Sequence, residues 1–169
     1  MYEEMNRCGD LFDKSGGHKM AAGLSMKEAD IDEFRRRINE YCTLTEDDMT
    51  EKAVIDIPMP IDYATFDFAK ELSRLEPYGN GNPKPVFAQK SVIPSDIKVL
   101  GKNHNVVKLY LKTDKMTGRG IEAMCFGEGD EISAGLKSCD RIDVLYEVGI
   151  NEYMGRQSVQ LIIKDWKQT

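Results

Sequence analysis

The chain has 169 residues, 41% of them hydrophobic and 31% charged, with a formal net charge of −6; this is the composition of one globular domain or two small ones and excludes a disordered chain. No apolar run reaches the roughly 18 residues a membrane helix needs, and the N-terminal MYEEMNRCGD is acidic where a secretory signal is basic and then apolar, so no membrane partner is expected and the compartment expected is the cytoplasm. Cys8, Cys42, Cys125 and Cys139 stand far apart with no CxxC pair, which argues against a zinc site or a disulfide framework.

In chain order, Tyr2, Met5, Cys8 or Gly9, and Phe12 recur at helical spacing, and Gly16 and Gly17 are expected to stop that helix. A short helix is expected from His18, with Ala21, Ala22 and Gly23 as a thin packing face. Next comes a helix with Ile31, Phe34, Ile38 and Tyr41 on one stripe, and with Asp32/Arg36 and Glu33/Arg37 as i,i+4 pairs on the other. The acidic stretch 43–52 reads as a linker, and AVIDIPMPI behind it as an edge strand. Phe66, Ala69, Leu72 and Leu75 then mark a helix over 65–75, followed by the proline- and glycine-rich loop PYGNGNPKP.

Beyond residue 85 the hydrophobic period changes from 3.6 to 2. Strands are expected at 86–92, 95–101, 105–113, 119–127, 140–150 and 156–166, with one short helix within 127–140. If 86–101 is a single strand bent near Pro94, the order is three strands, a helix and two strands, that of a five-stranded OB barrel. The fold class expected is therefore α+β, a short helical N-terminal part followed by an OB-like β-barrel. The divisions expected are 1–50, a connector over 51–85, and the barrel over 86–169.

Charge is distributed unevenly: residues 1–83 carry −8, residues 84–119 carry +6 and residues 120–169 carry −4. The basic block includes Lys98, Lys102, Lys108 and Lys112 and reads either as solvated lysines or as a phosphate-binding surface. In VVKLYLK, Val107, Leu109 and Leu111 share one side, so Lys108, Tyr110 and Lys112 share the other. Two lysines flanking an aromatic suit a single-strand platform, with charge for phosphates and a ring for base stacking. The plainer alternative is an outer face whose Tyr110 packs on a neighbouring strand. Trp166 is expected to pack in the core.

KSGGHKMAAGLSMKEADIDEFRRRINEYC resembles the end of the DHH-associated domain of RecJ-type single-strand-specific exonucleases. LSRLEPYGNGNPKPVF resembles the junction into that family's OB domain, and GINEYMGRQSVQLIIKDW its last hairpin. The resemblance implies a C-terminal piece of a metal-dependent exonuclease of DNA repair and recombination. It also implies single-stranded DNA and the parent's catalytic DHH domain as partners. Magnesium or manganese is implied for that catalytic domain and no cofactor for this chain, which has no DHH triplet and only two histidines.

Gly16 and Gly17 are expected to offer backbone N–H groups at a helix start, where the dipole favours an anion, with His18 donating to phosphate or stacking on a base; the resemblance places this loop at the reacting end of the strand. The plainer reading is a helix cap before a tight crossing. A module that clamps the catalytic domain or recruits a protein partner is the competing functional reading.

Overall fold

The computed structural model describes residues 2–18, 21–50 and 52–169. The chain divides into two compact units, the first ending at Lys52 and the second beginning at Ala53.

The first unit opens with helix α1 (Tyr2–Asn6) and a 3-10 turn at Gly9–Leu11. Strands β1 (Lys14–His18) and β2 (Ala21–Ser25) then form an antiparallel hairpin, not the end of one helix and the start of another. This corrects the reading of Gly16, Gly17 and His18: they pair with Gly23, Ala22 and Ala21 across a ladder, and no helix begins there. Gly17 explains the small side chains, because a Cβ on it would lie 2.5 Å from the Ala21 carbonyl oxygen and 2.7 Å from the Ala22 Cα. Paired glycines cost a helix about 1 kcal/mol each relative to alanine, whereas here they let two backbones approach closely. The expected helical N-terminal part is therefore mixed.

Helix α2 (Ile31–Tyr41) carries the expected apolar stripe, with Phe34 packed edge-on against Phe12 at 5.5 Å between centroids. Its arginines are neutralised locally. Arg37 bonds Glu33 and Asp10, while Arg36 bonds Glu33 and Glu40 and leaves Asp32 to Arg35, so the expected Asp32/Arg36 pair does not form. The hydrogen bonds from Arg36 and Arg37 hold the Glu33 carboxyl down at about 2. Within the stretch read as a linker, helix α3 (Glu46–Met49) is capped at its start by Thr45, whose N–H and hydroxyl both donate to the Asp48 carboxylate.

In the second unit, the short strand β3 (Ile57–Pro58) lies parallel to the start of β4 (Phe87–Leu100). Between them runs helix α4 (Phe66–Leu72), whose N-cap Thr65 accepts from the Phe68 N–H, continuing as a 3-10 turn over Ser73–Leu75. After β4 come β5 (Val106–Lys112), β6 (Ile121–Phe126), helix α5 (Gly129–Lys137), β7 (Ile142–Tyr153) and β8 (Arg156–Gln168). The sheet order is β3-β4-β5-β6-β8-β7, and β7 also pairs with β4, so the last five strands form a closed ring of pairings. Within the ring only β6 and β8 are parallel.

Strand β4 serves two partners because it bends. Its register shifts between Gln89 and Val92 against β7 and between Ser95 and Lys98 against β5, with Ser91 and Asp96 at φ 58° and 51°. The bends flank Pro94, which itself pairs with Leu111. The β7–β8 hairpin closes through Met154 and Gly155, both at positive φ (51° and 73°), as a two-residue turn requires.

Inward residues fill the ring, in alternation along β5 (Val107, Leu109 and Leu111), together with Phe87 and Tyr146. The Tyr146 hydroxyl donates to the Met59 carbonyl at 2.6 Å, which satisfies the one polar atom of that buried ring. Trp166 is half-buried against the core, its indole lying over Gly135 of α5, where a Cβ would come within 2.8 Å of the ring.

Candidate nucleic-acid interface

The alternation that buries Leu109 turns Lys108, Tyr110 and Lys112 outward, onto a face shared with β4 and β6. Lys98 of β4 stands opposite Lys108, Ser95 opposite Tyr110, and Glu122 of β6 on the other flank of Tyr110. Lys112 lies opposite Ile93, and Lys102 is exposed in the turn between β4 and β5. The β-strand residues of the expected set are thus brought onto one surface. Gly16, Gly17 and His18 belong to the first unit, where all three are exposed.

Pairing adds residues that no local pattern marked. Glu122 is the hub: its carboxylate takes Lys108 Nζ, the Tyr110 hydroxyl at 3.1 Å and Gln160 Nε2 of β8 at 2.7 Å. Burial pushes the Glu122 carboxyl up, yet the hydrogen bonds from Lys108, Gln160 and Tyr110 outweigh it and hold it below the ordinary value. Arg119 stacks over the Tyr110 ring at 4.0 Å from the centroid while bonding Asp96 at 2.6 Å. One face of the Tyr110 ring is therefore covered by a guanidinium, a group that itself stacks on aromatic rings. Of the cations here, Lys108 and Arg119 are ion-paired. Neither Lys98 nor Lys112 forms an ion pair among the described residues; Asp114, near Lys112, is taken by Arg141 at 2.7 Å.

Because the folded Glu122 carboxyl lies below its unfolded value, its stabilising contribution is complete above about pH 4.3 and is lost as pH falls through the folded value. Glu122→Gln is expected to cost about 1–2 kcal/mol near neutral pH. The melting-temperature gap to the parent chain should stay constant from about pH 7 to 5 and close below about pH 4.3. A gap that ignores pH would mean that Glu122 acts through packing.

A closed ring of three strands, a helix and two strands, with lysines and an aromatic on the outer face of its second strand, is the architecture of the OB class of oligonucleotide-binding domains. Residues 55–165 match the RecJ OB domain family, and the chain belongs to it. Over 167 residues it is 31% identical to the single-stranded-DNA-specific exonuclease RecJ of Bacillus subtilis, a match covering 98% of this chain and 21% of that protein. The protein of the same name from Thermus thermophilus is 32% identical over 128 residues, covering 76% and 18%.

The crystal structure of RecJ from Thermus thermophilus with Mg2+ superimposes with a TM-score of 0.74 at 24% identity, over 99% of this chain and 25% of that one. Its Mn2+ complex gives 0.70. These superpositions speak to fold. The chain spans about a fifth of the length of the curated relatives it matches. Among the described residues no three His, Cys, Asp or Glu side chains converge to hold a metal ion. No helix among them is long and apolar enough to cross a membrane.

Proposed function

We propose that this chain is the single-strand-binding, C-terminal portion of a RecJ-like single-strand-specific exonuclease of DNA repair and recombination, working in the cytoplasm. In this reading the ring of strands is a five-stranded OB barrel that grips single-stranded DNA, and residues 1–50 are the end of a DHH-associated domain. Hydrolysis belongs to the parent's DHH domain with its magnesium or manganese, and Gly16, Gly17 and His18 guide the strand end toward it. The observation that carries the reading is the outer face of β4–β5: lysines 98, 108 and 112 beside a tyrosine capped by an arginine, in a family whose full-length relatives are named as single-strand-specific exonucleases.

The test uses the purified 169-residue chain and a labelled oligothymidine. Anisotropy should show binding whose log affinity falls linearly with log salt, by about 0.7 per phosphate contact. The same sample with Mg2+ or Mn2+ should release no nucleotide. Absence of binding at low salt would favour a module that clamps the catalytic domain or recruits a protein, and chelator-sensitive hydrolysis would overturn the assignment of catalysis to another domain.

A further inference from the structure

The loop PYGNGNPKP is built with unusual rigidity for an exposed segment. Gly79 and Asn82 exchange backbone hydrogen bonds at 2.9 and 3.0 Å, and the Asn82 side chain donates to the Leu75 and Pro77 carbonyls at 2.9 and 3.0 Å. The Tyr78 hydroxyl donates to the Leu72 carbonyl at 2.6 Å, which fixes its ring. So much internal bonding in a loop that buries little apolar surface amounts to preorganisation, which favours a binding role over a packing one. Between this loop with the end of α4 and the outer faces of β7 and β8 lies a pocket of about 270 Å³ walled by Leu72, Tyr78, Lys84, Gly149, Gln160 and Ile162, with Glu76 at its side.

This pocket is joined to the Tyr110 platform. Ser95, Tyr110 and Glu122 lie side by side across β4, β5 and β6, Glu122 bonds Gln160 of β8, and Gln160 pairs with Gly149 of β7. Gln160 therefore belongs to both features: its amide N–H is committed to Glu122, and its carbonyl is left as an acceptor at the pocket wall. From Tyr110 to Gly149 the path follows the curve of the ring over three strand spacings, about 14 Å of arc, so a bound strand reaching both would wrap around the ring. Lys84 and Lys164 share one carboxylate, Glu147, at 3.9 and 3.4 Å, and with the Glu76 carboxylate at the pocket the charges around it balance.

We propose that this pocket is a nucleotide subsite that takes one unstacked base of the bound strand, with Lys84 toward the adjoining phosphate. It rests on the single-strand-binding reading. The Tyr78 ring and Ile162 supply apolar walls, and the Gln160 carbonyl and Glu76 carboxylate accept from base N–H groups. Gly149 keeps the floor open, because any side chain at this outward strand position would enter the space the base needs.

Gly149 also provides the test. Its φ is not in the left-handed region, and a Cβ there would sit 3.5 Å from Lys84 Nζ and 3.8 Å from the Gln160 backbone carbonyl oxygen, ordinary contacts. Gly149→Leu should thus fill the pocket without disturbing the strand. In the full 169-residue chain, labelled oligothymidine should bind Gly149→Leu at least about fivefold more weakly, with an unchanged salt slope and a melting temperature no lower than the parent's. Lys84→Ala should reduce the slope by at most the ~0.7 of one contact, because Lys84 also faces the Glu147 carboxylate at 3.9 Å.

In the unmodified chain labelled with nitrogen-15, thymidine 5′-monophosphate should shift the amides of Tyr78, Gly149 and Gln160; this readout stands even if Gly149→Leu misfolds. Parent-like affinity in a folded Gly149→Leu, or shifts confined to other residues, overturns the subsite while leaving strand binding intact. No oligothymidine binding by the parent chain removes both readings.

Discussion

Phe87→Ala is expected to destabilise the second unit by about 3–5 kcal/mol, the range for truncating a buried aromatic. Phe87 is 1% exposed, and its ring lies 5.7 Å from Phe68 of α4 and 5.8 Å from Tyr146 of β7. Its backbone pairs with Ile57 of β3 on one side and Tyr146 on the other. One side chain therefore ties the connector helix, the edge strand and the closing pair of the ring, and no neighbour can collapse into the space without opening one of those junctions. Against a typical domain stability of about 5–15 kcal/mol, the loss is a large fraction. Trp166 is the chain's one tryptophan and packs against this core, so its fluorescence in a urea titration follows the second unit specifically. A loss below about 1 kcal/mol would show that the ring of strands closes without this contact.

Lys98→Glu with Lys112→Glu is expected to weaken oligothymidine binding more than any other pair of charge changes on the β4–β5 face. Their ammonium groups form no ion pair among the described residues, whereas Lys108 is held by Glu122 and Arg119 by Asp96. A phosphate can therefore engage Lys98 and Lys112 without first displacing a carboxylate. Loss of two single-strand contacts should lower the salt slope by about 1.4 and the affinity roughly 25-fold near 0.1 M salt, before the added repulsion. Lys108→Ala should lower the slope by less than one contact and also cost stability, since it leaves Glu122 without its cation. Tyr110→Ala should weaken binding by about 1–3 kcal/mol at nearly unchanged slope, because stacking releases no counterions. An unaltered slope in the folded double variant would move the phosphate track off this face.

The alternation in VVKLYLK was enough to set Val107, Leu109 and Leu111 inward and Lys108, Tyr110 and Lys112 outward, because a strand buried on one face must alternate in any fold that contains it. The helix stripe of Ile31, Phe34, Ile38 and Tyr41 and the helix beginning at Thr65 were legible for the same reason: each depends on neighbours a few residues away. KSGGHKMAAG was not. Glycine and alanine are compatible with a cap, a tight helix crossing or a close strand pair, and the choice rests on Gly17 lying against Ala22 in a hairpin register that composition does not encode.

The site divides in the same way. The residues that could carry charge or stack were visible along the chain, but which lysine would be available was decided by partners distant in sequence. Glu122 reached Lys108 and Arg119 covered Tyr110 only once β5 had paired with β6. The pocket under Tyr78 required a loop, a glycine and a glutamine from three separate stretches to meet across β7 and β8. Local periodicity determined what each strand presents, and the register of the closed ring determined what each presented group meets.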